Sequence, residues 1–195
     1  MRTVGVILAG GLARRLGGGD KAARLVGGRT VLEHLLDRLA PQVERVIVNA
    51  NGDPARFAPL QVVPDSVPGN PGPLAGVLAA MEWAAVHAPG AEWIVTIPGD
   101  CPFIPRDLVQ RLHACLGNAR MACAASGGRT HPVVALWPLE LRHELRPALE
   151  GGLRKVGAFT AGAATAEWPT DPVDPFFNVN TPEDLAEANR LAAML

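Results

Sequence analysis

Val4-Gly5-Val6-Ile7-Leu8-Ala9 runs directly into Gly10-Gly11-Leu12-Ala13-Arg14-Arg15-Leu16-Gly17-Gly18-Gly19-Asp20-Lys21, and this junction decides the fold. A continuous apolar run of this length predicts a strand buried on both faces. The glycine-rich loop that ends it lets backbone amides approach a phosphate chain, and Arg15 and Lys21 are placed to neutralise one. The other reading of the loop is a surface turn with solvated charges. Against that, the chain has only two lysines, Lys21 and Lys155, in a background of 16 arginines, so Lys21 stands where arginine would be the commoner cation.

Two familiar phosphate loops fail here. A P-loop needs glycine immediately before its lysine, whereas Asp20 precedes Lys21. Gly17 to Ala22 fits a relaxed dinucleotide pattern, but it starts well after the strand rather than at the strand-to-helix turn, so we read that match as accidental.

Downstream, strand-like runs alternate with helical patterns, which argues for a largely parallel α/β sheet. Thr30 and Glu33 make a capping box ahead of Leu32, Leu35, Leu36 and Leu39, and residues 45–49 form a second strand. Pro73 suits the first turn of a helix through Leu74, Val77, Met81 and Ala84, and residues 93–97 form another central strand. Pro105 is expected to open a further helix, followed by apolar runs at 121–125 and 133–137. Residues 176–179 read as a last strand, and Thr181 caps a closing helix with Pro182, Glu183 and Asp184 in its first turn. No linker or internal repeat interrupts this, so residues 1–195 are expected to form one domain.

Composition excludes several classes. Glycine and proline together make about a fifth of the chain, below the roughly 25–30% of low-complexity sequences. The net charge of −1, without a basic run or an aromatic row among basic residues, disfavours nucleic-acid binding. Apolar runs fall far short of the ~18 residues of a membrane span, and the amino-terminal run lacks a cleavage site of the secretory type. Three cysteines, Cys101, Cys115 and Cys123, without a Cys-x-x-Cys pair support neither a disulfide framework nor a zinc site. A soluble protein of the reducing cytoplasm is expected.

Ligands of open α/β sheets bind beyond the carboxyl ends of the strands, and three polar features fall there: the 10–21 loop, Asn49 with Asp65, and Asp100. Asp100 lies between Pro98 and Pro102, which hold its carboxylate where a hard cation such as magnesium can use it, or where a turn or helix cap needs it. His131 begins a strand and can face the same cleft, whereas the other histidines lie in helical patterns; none reads as catalytic.

The pattern Leu-Ala-Gly-Gly-x-x-x-Arg-x-Gly-Gly-x-Asp-Lys at the first loop resembles the signature of the molybdenum cofactor guanylyltransferase family. The resemblance continues through Asn49-Ala50-Asn51, Asp65-Ser66, Pro71-Gly72-Pro73-Leu74-Ala75-Gly76, Gly99-Asp100-Cys101-Pro102-Phe103-Ile104-Pro105, His131-Pro132 and Asn178-Val179-Asn180-Thr181-Pro182-Glu183-Asp184-Leu185, spanning nearly the whole chain. Sugar-phosphate and cytidylyl transferases share a looser form of the first block. Leu16, where methionine is common, is a small apolar departure.

The resemblance implies a three-layer, Rossmann-like nucleotidyltransferase domain that transfers GMP from GTP to the terminal phosphate of molybdopterin and releases pyrophosphate. It places Leu8, Ala9, Gly10, Gly11, Lys21, Asn49, Asp65 and Asp100 at GTP, with Asp65 suited to the N–H edge of guanine. It implies Mg²⁺ on Asp100, with Arg15 and Lys21 stabilising the departing pyrophosphate. Asn178 and Asn180 are expected either to bind the pterin or to satisfy backbone groups before the last helix. Contacts with molybdopterin-synthesis and apoenzyme-maturation proteins are implied in the same way. The alternatives are a cytidylyl or sugar-phosphate nucleotidylyltransferase, and a catalytically silent GTP-binding protein that delivers cofactor.

Overall fold

The computed structural model describes residues 1–10, 21–69 and 72–194. In chain order it contains β1 (Thr3–Leu8), β2 (Leu25–Val26), β3 (Arg29–Thr30), α1 (Val31–Leu39), β4 (Arg45–Asn49), β5 (Gln61–Val63), α2 (Pro73–His87), β6 (Trp93–Pro98), α3 (Leu108–Cys115), β7 (Ala122–Ser126), β8 (Arg129–Pro138), α4 (Arg142–Glu150), α5 (Val156–Phe159), β9 (Ala164–Trp168) and α6 (Pro182–Ala192). Seven strands form one sheet in the order β5-β4-β1-β6-β8-β7-β9, and β2 and β3 pair separately as a short antiparallel ribbon.

The sheet is mostly parallel, as the alternation predicts. β1 pairs in parallel with β4 and β6, β4 with β5, and β7 with β9, while β8 runs antiparallel to both β6 and β7. The antiparallel β7–β8 hairpin brings the carboxyl end of β7 and the amino end of β8 to the same edge as the carboxyl ends of β1 and β6. That edge carries the site.

Two apolar clusters fill the layers. Val4, Val6, Ile47 and Ile94 face α2 and α4, whereas Ile7, Val48, Val95 and Ile97 face α1, α3 and α6. Each fully buried Val, Leu or Ile contributes about 1.5–3 kcal/mol to the packing. Gly5 lets α1 lie close on the sheet, since a Cβ there would stand 2.9 Å from a methyl of Leu39.

Local rules set the helix starts. Thr30 and Glu33 make the capping box at α1, Thr181 and Asp184 make another at α6, and proline occupies the first turn of α2 and of α6. α3 begins at Leu108 rather than at Pro105; Leu108 N bonds to Pro105 O at 3.4 Å, so the proline opens a turn that precedes the helix.

Two expectations need correction. Residues 176–179 are not a strand, and the last strand is β9. The Asp174 carboxylate accepts the N–H of Phe176 at 2.9 Å and Phe177 N bonds to Asp174 O at 3.1 Å, which turns the chain out of any ladder. Phe176 and Val179 are apolar because they pack into the core, not because they pair. His131 lies within β8, opposite Ala124, rather than at the start of the strand, because the hairpin extends back to Arg129.

Candidate active site

Main-chain bonds join the carboxyl ends of the central strands into one rim. Ala9 N donates to Asn49 O and Gly99 N to Leu8 O, each at 2.9 Å, and Ala50 N donates to Val63 O at 3.3 Å. Gly99 is required for this approach, since a Cβ there would meet Leu8 O at 3.2 Å and Ala9 Cα at 3.3 Å. Leu8 and Ala9 therefore lie directly against Gly99, the residue before Asp100. The space beside Gly10 is open.

On the β4 side, Asn49 is 5% exposed and donates both amide hydrogens within the protein, to Val63 O at 3.1 Å and to Asp65 Oδ1 at 3.0 Å. Asn51 completes the arrangement, donating from Nδ2 to Asp65 Oδ2 at 2.9 Å and accepting from Asp65 N at 3.0 Å. Asp65 is thus oriented by two amides, and Asn51 is a partner of Asp65 that the spacing alone did not single out. Its signal was the alternation in Asn49-Ala50-Asn51, which at a strand end points both amides toward one place.

On the β6 side, the half-buried Asp100 lies two residues past the end of the strand, and its main-chain carbonyl accepts Val179 N at 2.9 Å. Cys101 places its thiol 2.7 Å from Asn178 Oδ1. Asn178 is exposed beside it, while Asn180 donates its main-chain N–H to Asp184 Oδ2 at 2.9 Å. The structure thus brings Asn178 to the turn that holds Asp100, a contact spanning 77 residues of chain.

Gly11, Arg14, Arg15 and the side chain of Lys21 lie outside the described residues; the main chain of Lys21 opens a short 3-10 turn, Lys21–Ala23. Of the cysteines, burial pushes the Cys123 thiol up to about 11 and raises that of Cys115, so neither is a poised nucleophile.

A Rossmann-like α/β sheet with polar groups gathered beyond its strand ends suits a nucleotidyltransferase, and the family match makes the protein one. Residues 5–165 match the family described as the MobA-like NTP transferase domain. The chain is 59% identical over 197 residues to the molybdenum cofactor guanylyltransferase of Bradyrhizobium sp., with 97% of this chain and 93% of that one covered. It belongs to the molybdenum cofactor guanylyltransferase family. In fold it resembles the molybdopterin-guanine dinucleotide biosynthesis protein A of Archaeoglobus fulgidus, with a TM-score of 0.75 at 20% identity, covering 98% of this chain and 100% of that one. It also resembles the 2-C-methyl-D-erythritol 4-phosphate cytidylyltransferase of Thermus thermophilus, with a TM-score of 0.69 at 23% identity over 99% of this chain and 100% of that one. Because a cytidylyltransferase shares the fold, the fold does not choose the base.

Proposed function

We propose that the protein, acting as one domain over residues 1–195, transfers GMP from GTP to the terminal phosphate of molybdopterin, forming the guanine dinucleotide cofactor and pyrophosphate. The observation that carries this reading is the order of groups along the rim: the Asn49–Asp65–Asn51 set, then the main chain of Leu8 to Gly10, then Asp100, then Asn178. Base, triphosphate, reacting phosphorus and acceptor would lie across it in that sequence.

Asp65 suits guanine. A carboxylate has about four acceptor sites, and the two bonds from Asn49 and Asn51 leave capacity for the N1–H and N2–H₂ donors of the base. Asn49, with both amide hydrogens engaged, acts on the nucleotide by holding Asp65. Cytosine offers one amino donor beside two acceptors on the corresponding edge, a poorer match to a carboxylate.

In the transfer, a terminal phosphate oxygen of the acceptor attacks the α-phosphorus of GTP. The new P–O bond forms as the bond to the β-phosphate bridging oxygen breaks, and the electron pair leaves with pyrophosphate. The attacking oxygen is already anionic, so alignment and charge stabilisation do the work and no strong base is needed. Arg15 and Lys21 are assigned to the departing pyrophosphate, and Asn178 and Asn180 to the pterin side.

Among the described residues no three His, Cys, Asp or Glu side chains group closely enough to hold a metal by themselves. Asp100 is a single half-exposed carboxylate, the kind of donor that fits Mg²⁺ arriving with a triphosphate, since that ion is usually held by one or two carboxylates plus phosphate oxygens. When bound, Mg²⁺ would neutralise charge on the triphosphate.

No helix among the described residues is long and apolar enough to cross a membrane, and all three cysteines are free thiols; the setting we propose is the cytoplasm.

The test is thermal stability with GTP, CTP and ATP, each with and without Mg²⁺, followed by pyrophosphate release on adding molybdopterin. A ligand at a hundred times its Kd stabilises by about 2.7 kcal/mol. A GTP-selective shift with acceptor-dependent pyrophosphate release is expected. A CTP-selective shift would overturn the base assignment, and GTP binding without release would leave a delivery protein rather than a transferase.

A further inference from the structure

One polar cluster at the acceptor side has no part in the transfer chemistry. Ser126, the last residue of β7, is 3% exposed. It donates its hydroxyl to Asp174 Oδ1 at 2.9 Å, and its oxygen lies 2.8 Å from Nε2 of His131. A hydroxyl has one hydrogen, and here it goes to Asp174, so the second bond requires an N–H on Nε2 of His131. In a nucleophile–base pair the hydroxyl donates to the imidazole instead. The three residues are therefore no hydrolytic triad, although their types suggest one.

Their effect falls on the chain that follows. The Asp174 oxygen that accepts from Ser126 also accepts Phe176 N at 2.9 Å, and the Phe176 ring lies against His131 with centroids 4.8 Å apart. Further along, Val179 N is held by Asp100 O and Asn178 Oδ1 by the Cys101 thiol. Segment 174–180 is thus fastened at one end to the β7–β8 hairpin and at the other to the turn after β6. Asn178 is the exposed residue next to the second fastening.

We propose that Ser126 is a positioning residue for acceptor binding: by bridging His131 and Asp174 it fixes segment 174–180, and with it Asn178, at the acceptor side of the cleft. This rests on the guanylyltransferase reading above, in which the acceptor occupies the Asn178 side. Protonation of His131 keeps the Nε2–H, so the bridge survives acid and is not a pH switch.

The experiment measures KM for molybdopterin and for GTP separately, with the ¹⁵N signals of the His131 ring read in the same proteins. Ser126→Ala is expected to raise the acceptor KM about tenfold, as one lost hydrogen bond would, with the GTP KM within about twofold of its original value. Asp174→Ala should behave in the same way. Asp174→Asn, whose side-chain oxygen can accept both bonds, should restore the original acceptor KM. The ring should show Nε2–H in the unmodified protein. Asp174→Ala and Asp174→Asn preserve the comparison if Ser126→Ala does not fold.

An unchanged acceptor KM in Ser126→Ala and Asp174→Ala, an equal rise for both substrates, or an Nδ1–H tautomer in the unmodified protein would each overturn the positioning role. An unmodified protein that releases no pyrophosphate would instead overturn the transferase reading, while the ring tautomer would still report on the bridge.

Discussion

A Cβ on Gly76 would stand 2.1 Å from Oδ1 of Asn49, so the first turn of α2 and the carboxyl end of β4 interlock only because residue 76 has no side chain. The buried amide occupies the volume that any other residue would claim. From that position it reaches Val63 and Asp65.

Gly76→Ala is therefore expected to destabilise the protein, although glycine-to-alanine inside a helix ordinarily stabilises by roughly 0.5–1 kcal/mol. Displacing Asn49 or shifting the helix should cost about 1–3 kcal/mol, the range of an overpacked core, and weaken GTP binding with it. Urea denaturation decides the matter: stability equal to or above that of the parent would mean that Asn49 moves aside freely.

Asp65→Ala removes the acceptor for amide hydrogens of Asn49 and Asn51. The GTP-over-CTP preference should fall at least about tenfold, corresponding to roughly 1.4 kcal/mol. Asn51→Ala leaves the buried Asn49 bond in place and should have the smaller effect. Calorimetric titration of both nucleotides reads the ratio, and an undiminished preference in Asp65→Ala would refute the base assignment.

Asp100→Ala keeps the main-chain carbonyl that accepts Val179 N, and the fold is expected to stay intact. Turnover is expected to fall by about 10²–10³, the scale of losing one preorganised electrostatic group, and Lys21→Ala should do likewise. Steady-state pyrophosphate release measures this. Near-normal turnover in both variants would sink the proposed mechanism.

His113 and His131 are both held below the usual imidazole range, in each case chiefly by burial, with Asp174 partly opposing the effect at His131. His113 also has Nδ1 buried without a partner among the described residues. Below the ordinary value of about 6.5 the unfolded chain takes up protons that the folded one resists, so stability falls as pH drops from there toward the lowered folded values. Above about 6.5 these two histidines contribute no slope. Thermal midpoints between pH 5 and 8 should show the fall, and His113→Gln should flatten it; an identical profile in that variant would exclude His113 as a source.

Thr96 and Trp137 form a buried polar chain across β6 and β8: the indole N–H donates to Thr96 Oγ1 at 2.8 Å, and that hydroxyl donates to Val133 O at 2.7 Å. Thr96→Val keeps the shape and strands the indole N–H. The cost should be about 1–3 kcal/mol with unchanged kcat, since neither residue is at the rim. Denaturant unfolding that shows no loss would mean the indole finds another partner.

The elements legible in the chain are those whose cause is local. β1 follows from the apolar run Val4 to Ala9, and α1 and α6 follow from capping residues three positions apart. The rim residue Asp100 was legible because it stands just after a strand, whereas Asp65 was legible through its pairing with Asn49 and the family resemblance. β5 is only three residues long and carries little periodicity, and 176–179 carries strand-like composition without a partner strand. Apolar content reports burial, and burial is available to a loop as well as to a ladder.

The sequence by itself determined that a buried strand ends in a glycine-rich, cation-bearing loop, that helices and strands alternate, and that Asp100 falls at a strand end. Only the tertiary structure decided that Asn49 and Asn51 jointly aim Asp65, that Cys101 meets Asn178, and that Ser126 bridges His131 and Asp174. Capping and hydrophobic period are settled within one or two turns of chain. A hydrogen bond between residues 48 or 77 positions apart exists only once strand order and the antiparallel β7–β8 hairpin have carried both partners to one edge of the sheet.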